Sequence, residues 1–273
     1  MIQPDTDALR GLVARWRDDP GGTYRTWFVW EERLKNFRSI RRGLRAVAEE
    51  IAAGRFGGAY RGSPLETVVG SVAEQRQIFR GADHAFQWKP KPRIPDIHED
   101  EGNQRAFGRM LEECAGCDDE RRVVAAIRAL DARGVEGLGP AVASLLYFLH
   151  PTLVPPSDTA IVRGWNAVSG ARVRLDRWDD CLAMREGALA LNAALRGAGL
   201  SNDLGALAGL LFDVGSGRHP APPPLGGEDH AAARAAWEAD LARVRAEAGP
   251  AAADGRGAAG RDDADRTHTE LQG

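Results

Sequence analysis

What this 273-residue chain has little of narrows its reading first. It holds three cysteines, too few for a disulfide framework, so a reducing cytoplasm is the expected compartment. No apolar run approaches the ~20 residues of a membrane span, so no membrane partner is expected. The first residues, MIQPDTDALRGLVARWRDD, are charged throughout and do not read as a signal peptide. Alternating apolar and polar runs of the β type are nearly absent, and there is no internal repeat. The expected fold class is therefore all-α.

An excess of positive charge is also lacking, since 36 Lys and Arg face 39 Asp and Glu. The distribution matters more. Residues 220–273 hold 6 basic and 10 acidic residues, which leaves 30 basic and 29 acidic residues in 1–219. Residues 25–45 carry seven Arg or Lys against two Glu, and residues 76–93 carry five against one Asp. A local basic surface is enough to hold phosphates, although a solvated helix face has the same composition.

Apolar residues recur at helical spacing almost everywhere and predict helices near 7–18, 27–53, 64–80, 102–114, 119–132, 140–149, 158–169, 184–198 and 203–214. The segment WKPKPRIP from Trp88 to Pro95 has proline at alternate positions and is expected to be extended. HPAPPPLGG, from His219 to Gly227, reads as a linker that ends the globular part. An Ala-rich helix near 229–248 follows, and then a stretch whose composition predicts disorder, so 220–273 is expected to be a linker and a flexible acidic tail.

The informative stretch runs from Gly134 to Leu149. A helix ending near Ala132 meets the short loop Gly137-Leu138-Gly139, and a second helix opens on Pro140. Proline suits a first helical position, and glycines let backbone come close to another molecule. Exposed N–H groups at such a helix start form an anion site, which a DNA phosphate fits. Downstream stands Ser157-Asp158-Thr159-Ala160-Ile161-Val162-Arg163, where Ser157 or Asp158 is placed to cap the next helix.

Together the two segments resemble the helix-hairpin-helix DNA glycosylases, the superfamily of endonuclease III and the adenine glycosylases. Gly137-Leu138-Gly139-Pro140-Ala141-Val142-Ala143 is similar to its hairpin, and Ser157–Arg163 is similar to its Val-Asp-Thr-His-x-x-Arg segment, at the family's distance. The resemblance covers roughly residues 60–217. It implies that Asp158 is the catalytic carboxylate. It implies DNA contacts from Gln75, Arg76, Gly137, Leu138, Gly139, Ala141 and Arg163. Gln75, in Ser63–Gln77, matches the glutamine that enters the gap left by an extruded nucleotide, and Ala208–Gly215 resembles a late helix of the family.

Three departures narrow the expectation. Ala141 stands where lyase members carry their lysine, Gly70 stands where adenine glycosylases carry a glutamate, and the cysteines of the iron–sulphur loop are missing. The expected function is a monofunctional glycosylase that flips a damaged or modified base out of double-stranded DNA and leaves an abasic site. It would act as a monomer associated with the nucleoid, with no metal or organic cofactor. An alkylated purine and a hypermodified phage base, the latter in antiviral defence, both fit as substrates. The alternative is a non-catalytic hairpin protein that binds DNA. The expected domains are 1–59 with 151–219, carrying the aspartate, and 60–150, carrying the hairpin, with a cleft between them.

Other residues have competing readings. Trp27 and Trp30, beside Tyr24 and Phe28, form either a base-stacking wall or helix packing, and Trp88 is a third candidate for an aromatic contact. Cys114 and Cys117 have zinc-like spacing but no second pair. His150 stands at a helix end, where a cation favours the dipole. Asp213 lines the site, caps a helix or makes a turn, and Trp165 reads as core.

Overall fold

The structure is a computed structural model. It describes residues 3–75, 77–79, 96–135, 138, 142–175, 177–226 and 229–247. Among these residues the ordered elements are all helical apart from one isolated bridge, between Gln3 and Leu225, so the chain is all-α as its periodicity predicts. No helix among them is long and apolar enough to cross a membrane. The residues divide into two compact units, Met1–Trp30 with Thr159–Val173 and Glu186–Gly273, and Glu31–Asp158 with Arg174–Arg185.

In the first unit, α1 (Thr6–Asp18) starts where the Asp5 carboxylate accepts from the Ala8 N–H, and it buries Leu9, Leu12, Val13 and Trp16 along one stripe. A π-helical turn, Tyr24–Phe28, follows and closes with the Val29 N–H on the Tyr24 carbonyl. α7 (Thr159–Ser169) and α9 (Leu204–Gly215) cross at very short range. A Cβ on Gly164 would lie 1.9 Å from the Leu211 carbonyl oxygen, and one on Gly215 would lie 1.9 Å from that of Ala160. Only glycine admits such an approach of backbone to backbone.

The C-terminal helix α10 (His230–Glu247) corrects the expectation of a loose tail. Trp237 and Leu241 are buried, the Trp237 indole donates to the Pro220 carbonyl at 2.9 Å, and Arg234 pairs with Asp5 at 2.9 Å. The proline-rich segment also bridges back to Gln3 through Leu225. An Ala-rich helix needs only one Trp and one Leu on the same face to acquire a docking stripe. Residues 248–273, expected to be disordered, lie outside the described residues.

The second unit is built around α2 (Glu31–Ala52), which packs against α3 (Pro64–Ala73), α4 (Glu101–Ala115) and α6 (Val142–Leu149). α5 (Glu120–Arg133) packs on α4 and ends on Gly134, whose φ of 65° is the left-handed value glycine adopts without strain. All eight residues of α6 are buried. Phe37 of α2 meets Tyr147 and Phe148 at ring distances of 5.4 and 4.8 Å, and Phe79 stacks on Tyr147 at 5.9 Å. Because α2 belongs to this packing, the expected border at residue 59 falls instead before Glu31.

Three element boundaries also differ. The helix expected over 27–53 starts only at Glu31, after the π-helical turn, and the one expected over 64–80 stops at Ala73, with a 3₁₀ turn over Gln77–Phe79. The helix expected from residue 184 starts at Trp178 as α8 (Trp178–Leu195), with Asp179 and Asp180 in its first turn, where acids suit the helix dipole. The extended reading of Trp88–Pro95 falls outside the described residues.

Candidate functional site

Asp158 is half-buried and immediately precedes Thr159, the first residue of α7, so it occupies the position expected of an N-cap. The chain leading to it is held tightly. After α6 the N–H groups of Leu153 and Val154 both bond to the His150 carbonyl, and Pro155, Pro156 and Ser157 are buried. The Ser144 hydroxyl, in the first turn of α6, donates to the Ser157 carbonyl at 3.3 Å. Arg185 is 3% exposed; it donates to the Leu153 carbonyl at 2.7 Å and pairs with Glu120 at the start of α5 at 2.8 Å. A buried guanidinium held by a carbonyl and a carboxylate is a rigid strut, because leaving either partner unmade is costly.

His150 contributes to the same bracing. Its Nε2–H donates to the Cys114 carbonyl at the end of α4. Burial pushes its pKa down, so it acts as a neutral donor and not as the helix-end cation expected from sequence. Burial pushes the Cys114 and Cys181 thiols up to about 12, which leaves them protonated and unreactive. No group of three His, Cys, Asp or Glu among the described residues is arranged to hold a metal.

Of the hairpin, Leu138 is described, and Gly137, Gly139 and Ala141 lie outside the described residues, as do Arg76 and Trp88. Leu138 is 2% exposed, with its N–H on the Val135 carbonyl at 3.3 Å. Its side chain is therefore packed in the core and does not face solvent. With Leu130, Val135 and Trp178 it lines a cavity of about 320 Å³, whose rim carries Asp131, Arg177 and Asp179.

Gln75 departs most from its expected role. Its side chain is fully buried, and neither amide atom has a hydrogen-bond partner among the described residues. A glutamine that enters a DNA stack needs an exposed tip, and this one is withdrawn. Arg163 is exposed and donates from Nη1 to the Gly215 carbonyl at 3.1 Å, so it caps the end of α9. Trp27 is fully buried in the first unit, which corrects its assignment to a base pocket; Trp30 is half-buried. Trp165 is buried, with its ring against Gly187.

Asp213 is an organiser of the first unit. It is 3% exposed, and its Oδ2 accepts from the Trp16 indole at 2.8 Å, the Thr23 N–H at 2.7 Å and the Thr23 hydroxyl at 2.8 Å. One carboxylate oxygen thus fixes the turn before the aromatic π-helical segment against α9. Sequence reasoning weighed a site-lining role for Asp213 and missed Ser144 and Arg185. No local pattern marks any of the three, since their partners are distant in the chain or lie in irregular segments.

Compared with models of protein families, with curated proteins and with solved structures, the chain returns no match.

Proposed function

We propose that the protein is a monofunctional DNA glycosylase whose catalytic carboxylate is Asp158. The observation that supports this reading best is the bracing of the Asp158 segment. The carboxylate stands at a helix start, on a loop fixed by Ser144 and Arg185 to the helices that flank the glycine hairpin. Rigid placement is what electrostatic catalysis requires of a charge, because a preorganised group needs no reorganisation as the transition state forms.

In this reading the target nucleotide leaves the stack, at a cost that is lowest for damaged or mispaired bases. As the glycosidic bond breaks, positive charge grows on the sugar, and the Asp158 carboxylate stabilises it and orients the attacking water. The hairpin contributes backbone N–H groups to a phosphate, independent of sequence. With alanine at position 141 there is no amine there to attack the sugar, so the product is an abasic site in an intact strand.

A panel of duplexes tests the reading, each carrying an alkylated purine or a bulky modified pyrimidine and assayed for alkali-labile sites. At least one should be cut after alkali and not before, with no adduct trapped by borohydride. Asp158→Asn should lower that release by about 100-fold or more while duplex binding persists, since the charge acts mainly in the transition state. Near-normal turnover by Asp158→Asn would overturn the assignment. The burial of Gln75 favours a second reading, a hairpin protein that binds DNA without opening it; it predicts duplex binding and no base release across the panel.

A further inference from the structure

The long helix α2 distributes charge unlike its neighbours. Its acids are confined to the ends, Glu31 and Glu32 at the start and Glu49 and Glu50 near the finish. Between them stand Arg33, Lys35, Arg38, Arg41, Arg42 and Arg45. Arg33 is buried over the Phe37 ring, and Lys35 pairs with Glu32 at 3.2 Å. Arg38, Arg42 and Arg45 are exposed, and Arg41 is half-buried beside them. On α10 acidic and basic residues are mixed along the helix, and Arg234 pairs with Glu238 and Arg243 with Asp240.

The arginines repel one another. Arg38 and Arg42, and Arg41 and Arg45, are four residues apart, where like charges on a helix face meet and destabilise it. Arg41 has its pKa lowered, first by burial and then by the Arg45 charge, against which Asp118 acts. Arg42 and Arg45 make no ion pair among the described residues. A helix that concentrates self-repelling cations on its solvent side gains stability when a polyanion covers them.

The geometry selects the polyanion. From Arg38 to Arg45 the helix rises roughly 10 Å, which equals the rise along the duplex axis of about three nucleotides of one strand at about 3.4 Å each. An anionic membrane would be met by basic residues interleaved with exposed apolar ones. The large exposed hydrophobic residues among those described are Val29 and Leu225, neither of them on α2. The ridge is also separate from the hairpin. Phe37 packs against Tyr147 and Phe148, and Arg41 and Asp118 both act on His150, so this stretch of α2 lies at the C-terminal end of α6, whereas the hairpin precedes α6 in the chain.

We infer that Arg38, Arg42 and Arg45 form a second docking surface for the phosphate backbone of duplex DNA, apart from the hairpin. The inference rests on the DNA-binding part of the function proposed above. Such a surface holds the protein on undamaged duplex, whatever its sequence, while the hairpin and Asp158 engage the target.

The test uses the full chain and an unmodified, fluorescently labelled duplex of about 20 base pairs, with affinity followed by anisotropy across a salt series. The triple variant Arg38→Gln, Arg42→Gln, Arg45→Gln should bind about tenfold or more weakly at low salt, and its log–log salt slope should fall by about 2 to 3. The corresponding triple lysine variant, which keeps the charge, should retain most of the slope. Circular dichroism and the thermal midpoint establish that the variants fold. If the wild type binds and the glutamine variant shows an unchanged slope, the ridge is overturned and the glycosylase reading stands. The ridge is likewise overturned if Gly139→Asp alone removes the entire salt dependence. If the wild type binds no duplex but does bind phosphatidylserine vesicles, both the ridge assignment and the DNA reading fall.

Discussion

The hydroxyl of Ser144 donates to the carbonyl of Ser157 at 3.3 Å, joining the first turn of α6 to the residue just before Asp158. The hairpin precedes α6 in the chain, so the segment proposed to grip a phosphate and the carboxylate proposed to act on the sugar are linked by one buried hydrogen bond. Ser144→Ala should cost about 1 kcal/mol of stability, measured by urea unfolding, because the Ser157 carbonyl loses its donor in a buried setting. If the bond also sets the position of Asp158, base release should fall by about tenfold or more with duplex affinity retained. Unchanged release together with lowered stability would leave Ser144 a purely structural residue.

The C-terminal segment gives the second prediction. A fragment ending at His219 removes α10 and with it the cover over part of the first unit. Losing Trp237 and Leu241 from their buried positions should cost about 3–5 kcal/mol, and Trp237→Ala alone about 3 kcal/mol. Thermal unfolding of the full chain, the fragment and the point variant checks this. A fragment as stable as the full chain would mean that α10 contributes nothing to the core.

That segment also marks where sequence reading stops. The helix itself was legible, since alanine-rich sequence with spaced charges has few other states. Its docking was not, because one Trp and one Leu in eighteen residues give a faint stripe, and the partners, Asp5 and Pro220, are fixed by tertiary structure. The all-α class was legible from the 3.6-residue period along the whole chain. The start of α8 is signalled by the Asp179-Asp180 pair, since acids suit a first helical turn. The burial of Gln75 and Leu138 was hidden because a polar residue in a motif and an apolar residue in a glycine loop give no sign of which way they face. Asp213 and Thr23 are 190 residues apart, beyond the reach of any local rule.

Two helical glycines should respond oppositely to one added methyl group. At Gly70 a Cβ would meet nothing within 4 Å, so Gly70→Ala should stabilise the protein by about 0.5–1 kcal/mol through helix propensity. At Gly164 the same methyl would enter the Leu211 carbonyl, and α7 and α9 would have to separate. Gly164→Ala should cost about 3 kcal/mol or more, or prevent folding, as overpacking against backbone does at its severe end. Equal effects at the two positions, read from thermal midpoints, would contradict the crossing of α7 and α9.

His98 sets the pH prediction. Its ring stacks on Phe56 at 5.4 Å and meets the edge of Tyr60 at 6.0 Å. It is 4% exposed, and neither ring nitrogen has a hydrogen-bond partner among the described residues. Burial pushes its pKa down to about 4 from an ordinary 6.5. Above pH 6.5 the ring is neutral in both folded and unfolded chains, and it imposes no pH dependence. As the pH falls from 6.5 towards 4, the unfolded chain takes up a proton that the folded chain refuses, so stability declines through this window. The loss from this one group is at most roughly 3 kcal/mol, and it levels off below pH 4, where the folded ring also protonates. Urea unfolding of the wild type at pH 7.5 and pH 4.5 should show the decline. His98→Phe, which keeps the aromatic stack and cannot protonate, should remove most of it. If the variant and the wild type lose stability in parallel over this range, the acid sensitivity belongs to other groups and the ring of His98 is satisfied.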